Sequence, residues 1–71
     1  MIETITHIES RAADRGRKIT LTKDEGGYRL HLLPVGSHPK VGDPGDSQHD
    51  SYEEAEKAAG EWAKELREAE A

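Results

Sequence analysis

The residues of this chain best equipped for chemistry are its four histidines, at positions 7, 31, 38 and 49. Imidazole binds metals and exchanges protons near neutral pH. None of the four stands at the close spacing of a zinc site, and no H-E-x-x-H run occurs. His38, Asp43, Asp46, His49 and Asp50 share one stretch and would need that stretch to fold them together; solvated histidines are the simpler expectation. Asp43, Asp46 and Asp50 lack the spacing and the terminal bidentate glutamate of a calcium loop. Ser37-His38, and Ser47 with His49, bring hydroxyl and imidazole close in sequence. A nucleophile also needs an orienting acid and an oxyanion hole inside a pocket, and 71 residues leave little room for one. Gly42-Asp43-Pro44-Gly45 has no lysine after it and no strand-to-helix setting, so it is no phosphate loop. The expectation is a protein without enzymatic activity, cofactor or metal.

Charge offers two further surfaces. Arg11, Arg15, Arg17 and Lys18 form the basic cluster of the chain and could bind phosphate groups. Glu53, Glu61, Glu65 and Glu68 form an acidic row near the C-terminus, which either solvates a helix or engages a basic groove on a partner. The formal net charge is −5, which disfavours general nucleic-acid binding. Of that, residues 51–71 contribute −4, from three basic and seven acidic side chains.

The elements that must carry these groups are legible to differing degrees. The clearest is a C-terminal helix. Ser51 is a good N-cap, and Glu54 three residues later completes a capping box. Tyr52, Ala55, Ala59, Trp62, Leu66 and Ala69 recur at three- and four-residue steps, marking one apolar stripe with Trp62 at its centre. Gly60 is its weak point, costing about 1 kcal/mol against alanine. Residues 18–33 read as a hairpin: Ile19 and Leu21, then Tyr28, Leu30 and Leu32, alternate with polar residues around the turn Asp24-Glu25-Gly26-Gly27. Its apolar face should meet the helix, leaving Thr20, Thr22, Arg29 and His31 toward water. Residues 34–50, broken by three prolines and three glycines, form a long loop, with a short third strand expected near 47–49. The first segment is ambiguous. Ile2, Ile5, Ile8 and Ala12 follow helical spacing, and Arg15-Gly16 resembles a helix end. The isoleucines and threonines favour a strand instead. The spacing decides for a helix over residues 2–15.

Hairpin, loop and then the run from Ser51 through Ala59 resemble, over about half the chain, the small DNA-binding domain of tyrosine integrases and a family of short bacterial hairpin–helix domains. The integrase resemblance implies a basic sheet that reads DNA. Here the hairpin offers Lys18, Lys23 and Arg29 against Asp24 and Glu25.

Composition sets the scale. The chain forms one small domain over residues 1–71, with 32% apolar and 35% charged residues and no cysteine. Domains of this size have thin cores and are marginal alone. No signal-peptide pattern and no stretch near the ~20 apolar residues of a membrane span occur, so a cytoplasmic protein is expected. The expected fold is α+β, helix–strand–strand–helix (αββα). A bare two-stranded sheet would favour a homodimer by edge pairing. The expected role is a non-enzymatic interaction module that meets a basic partner through the acidic helix or the loop; the alternative is nucleic-acid binding by the arginine cluster.

Overall fold

The computed structural model describes residues 5–40 and 43–70. Strands β1 (Thr6–Asp14), β2 (Arg17–Asp24), β3 (Gly27–Pro34) and β4 (Ser47–His49) precede one helix, α1 (Tyr52–Glu70). The strands form a single antiparallel sheet in the order β1-β2-β3-β4, and α1 crosses one face of it. The class is α+β, as expected. The hairpin over β2 and β3 forms in continuous register, from Arg17 opposite Pro34 to Asp24 opposite Gly27. The short strand at 47–49 is present and pairs with Tyr28–Leu30.

The N-terminal segment differs from expectation. Residues 6–14 form a strand, not a helix, so the helix–strand–strand–helix order does not hold. Ile2 lies outside the described residues. The cause is a register shift between His7 and Glu9, which leaves Ile8 unpaired as a bulge. A bulge adds one residue to a strand and breaks its two-residue alternation. Isoleucines three apart then imitate a helical repeat. Gly16 adopts the left-handed conformation, at φ 72°. That conformation closes a tight hairpin between β1 and β2 as readily as it ends a helix. Arg11 and Arg15 therefore share no helix face; one lies on β1 and the other in the turn. Four strands within one chain also remove the premise for a dimer built from two bare hairpins.

The core is formed by Ala13, Ile19, Leu21 and Leu30 from the sheet and Ala55, Ala59 and Ala63 from α1. Burying each of the larger side chains is worth roughly 1.5–3 kcal/mol. The helix contributes only methyl groups along its contact line, and small side chains there let it approach the sheet closely. Tyr52, Ala58, Trp62 and Leu66 flank that line, half-buried. Trp62 thus stands at the side of the stripe rather than its centre. The N-cap forms as expected: the Glu54 amide donates to Ser51 Oγ at 3.2 Å.

The second face of the sheet is not open to water at its centre. Thr20, Thr22 and His31 are each 1% exposed. The segment after β3 folds back over them. Arg29 Nη1 donates to the Pro44 carbonyl at 3.3 Å, and the Asp46 amide donates to the Leu30 carbonyl at 2.8 Å. Gly45 passes so near that a Cβ there would lie 2.7 Å from the Leu30 carbonyl oxygen and 3.1 Å from the His31 ring.

Candidate functional site

Three groups of side chains bear on function. The first is the polar chain under the loop. Thr22 and His31 point to the same face of β2 and β3, and the loop brings Asp43 against them. Thr22 Oγ1 lies 2.8 Å from His31 Nε2, and Asp43 Oδ2 lies 3.6 Å from His31 Nδ1. The ring tautomer sets which of Thr22 Oγ1 and His31 Nε2 donates, and Nδ1 has Asp43 near it but no hydrogen-bond partner among the described residues. Desolvation lowers the His31 pKa, and Asp43 and Asp46 oppose that shift. Acid, imidazole and hydroxyl stand in the order of a catalytic triad, but a substrate must reach the hydroxyl, and Thr22 and His31 are sealed. The hydrogen bonds from Arg29 to the Pro44 carbonyl and from the Asp46 amide to the Leu30 carbonyl are what tie the loop to the sheet. Beside the polar chain, Arg29 Nε and Asp24 Oδ2 form a shielded ion pair at 3.0 Å.

The second group is a cleft of about 220 Å³ between α1 and β4, lined by Leu30, Asp46, Ser47, His49, Ala58 and Trp62. Residues 47 and 49 alternate onto the helix side of the sheet, so Ser47 and His49 meet there, with Oγ and Nε2 3.0 Å apart. Among the described residues nothing hydrogen-bonds Nδ1 of His49 to orient the ring. Asp46 Oδ2 is taken by the Leu32 amide, which donates to it at 3.0 Å. The Ser47–His49 pair is a polar rim on an apolar hollow rather than an assembled nucleophile. Among the described residues Ser37-His38 has no comparable pairing; His38 is exposed. Among the described residues no three His, Asp or Glu side chains converge as a metal site needs, and the loop residues 38, 43, 46, 49 and 50 are not gathered.

The third group is charge. Glu53, Glu61, Glu65 and Glu68 are all exposed on α1, interspersed with Lys57 and Lys64. The basic cluster is divided between strands and matched by acids. Arg11 donates through Nε and Nη2 to Glu9 Oε1, at 3.2 and 2.8 Å. That carboxylate raises the Arg11 pKa further. Arg17 pairs with Asp14 across the β1–β2 turn. Arg15 is exposed in the turn and Lys18 is half-buried on β2. Tyr52 extends the Glu9 group to the helix, donating to Glu9 Oε2 at 3.4 Å; Glu56 first, then burial and Glu9, push its hydroxyl up to about 12.

The chain matches no protein-family model, no curated protein and no solved structure. The sequence pointed to the acidic row and to the Ser47–His49 proximity. It gave no signal for the cleft, because Trp62 reads as the centre of the apolar stripe and Ala58 falls outside that stripe. No helix among the described residues is long and apolar enough to cross a membrane.

Proposed function

We propose that this protein is a non-enzymatic interaction module that presents the carboxylates of α1 to a basic protein partner. One observation carries this reading: Glu61, Glu65 and Glu68 stand exposed on consecutive turns of α1, and the helix backbone holds them at fixed spacing. Like charges held on a rigid element repel one another, and an opposite charge relieves the repulsion. They also steer a basic partner before contact, an effect that falls with ionic strength. The arginine cluster supports the alternative, nucleic-acid binding, less well, because Glu9 and Asp14 already offset Arg11 and Arg17.

The test is a pull-down with the intact chain at low salt, eluted by a salt gradient. A basic protein retained by the native chain and lost with Glu61→Lys and Glu65→Lys together is the expected result. Nuclease-sensitive recovery of nucleic acid, abolished by neutralising Arg11, Arg15, Arg17 and Lys18, would transfer the function to the hairpin.

A further inference from the structure

We infer that the cleft between α1 and β4 receives an arginine side chain from an extended basic segment of the partner. This rests on the acidic-helix reading and adds to it the place of contact and the residue that makes it. The volume of about 220 Å³ is the first indication. Pockets for small molecules run to roughly 300–1,000 Å³, so this one is sized for a single side chain. Leu30 is its floor. Ala58 creates the hollow by ending at a methyl group, and the half-buried Trp62 indole, one turn further along α1, forms a wall.

Apolar walls alone would admit any apolar side chain, and the rim is what discriminates. Asp46 stands at the β4 side; one carboxylate oxygen is bound by the Leu32 amide, and the other accepts no hydrogen bond among the described residues. On the helix side Glu54 precedes Ala58 by four residues, Glu61 follows it by three, and Glu65 follows Trp62 by three. Residues at those spacings are surface neighbours on a helix, and all three glutamates are exposed. An aromatic wall inside a carboxylate rim matches arginine in three ways. Its aliphatic stem covers Leu30 and Ala58, its planar guanidinium stacks on the indole, and its N–H fork fits a carboxylate. Lysine supplies the charge without the plane. β4 ends the sheet, so its outer edge offers backbone groups to an extended segment.

Trp62 is the sole tryptophan, so its fluorescence reports on the cleft directly. The experiment titrates the intact chain with blocked hexapeptides alternating threonine with arginine, with lysine or with leucine, and follows amide chemical shifts in parallel. The arginine peptide is expected to change Trp62 emission and shift the amides of Ser47, Gln48 and His49. It should bind about three-fold or more tighter than the lysine peptide, the scale of an exposed cation–π contact. Ala58→Leu, which fills the hollow, should remove the emission response, and Asp46→Asn, which keeps an acceptor for the Leu32 amide, should weaken arginine binding. Equal binding of both basic peptides, with shifts confined to Glu61, Glu65 and Glu68 and unchanged emission, would overturn the cleft while leaving the acidic-helix reading standing. Tighter binding by the leucine peptide would overturn the assignment to arginine. If no basic peptide shifts any amide of α1, both readings fall.

Discussion

The loop passes over the His31 ring at Gly45. Gly45 has φ 70°, a conformation that costs other residues about 1–3 kcal/mol. A methyl group there would also press on the Leu30 carbonyl and the His31 ring. Gly45→Ala is therefore expected to destabilise the fold by at least that amount in urea denaturation, with faster amide exchange at Asp46 and Leu32. His31 makes stability depend on pH. Burial lowers its pKa from the ordinary 6.5, against the pull of Asp43, Asp46 and Asp24, while Arg29 adds to the lowering. The unfolded chain then takes up the proton more readily than the folded one. The stability that His31 supplies is complete above 6.5 and is lost as pH falls through the lower folded value. Thermal midpoints should drop from about pH 7.5 to about pH 5.5, and His31→Gln should flatten that drop. An unchanged pH profile in the variant would refute the assignment. None of this could be read from spacing, since Asp43 follows His31 by twelve residues through a loop whose path the sequence does not specify.

Legibility at the level of elements followed the strength of the local signal. The helix announced itself through Ser51, Glu54 and a clean apolar repeat, and the central hairpin through alternation around two glycines. β1 did not. It is an edge strand whose helix-facing positions include Glu9 and Arg11 opposite Leu21 and Ile19, and a bulge breaks its alternation at Ile8. Charged residues on an edge strand hide the two-residue pattern that a central strand displays. Tertiary packing also re-centred the helix stripe. Its buried line is Ala55, Ala59 and Ala63, so small residues that look unimportant in sequence set the helix–sheet spacing. Two neighbouring substitutions separate helix propensity from packing. A Cβ at Gly60 would meet only the end of Arg11, at 3.7 Å. Gly60→Ala should therefore stabilise by up to about 1 kcal/mol. Ala59→Leu enlarges a side chain in full contact with the sheet and should destabilise by about 1–3 kcal/mol. Chemical denaturation of the two variants tests both signs, and destabilisation by Gly60→Ala would mean that α1 lies closer to β1 than the Arg11 contact implies.

The whole molecule is two layers, 15 Å in its thinnest dimension, and residues 51–71 carry −4 of its net charge of −5. A core this thin leaves little stability in reserve, so charge repulsion matters more than it would in a larger domain. The carboxylates of α1 raise the free energy of the compact state, since unfolding moves them apart. Salt screens that repulsion within a Debye length of about 10 Å at 0.1 M. It screens attraction to a basic partner in the same way. Thermal stability of the free chain should therefore rise as sodium chloride increases from about 0.01 to 0.2 M, while affinity for a basic peptide falls over the same range. Paired melting and titration series measure both. Glu61→Gln with Glu65→Gln should reduce the two salt dependences together, because the same carboxylates produce them. Loss of the binding dependence alone would mean that the repulsion lies elsewhere, and loss of the stability dependence alone would mean that the partner reads a different face of the molecule.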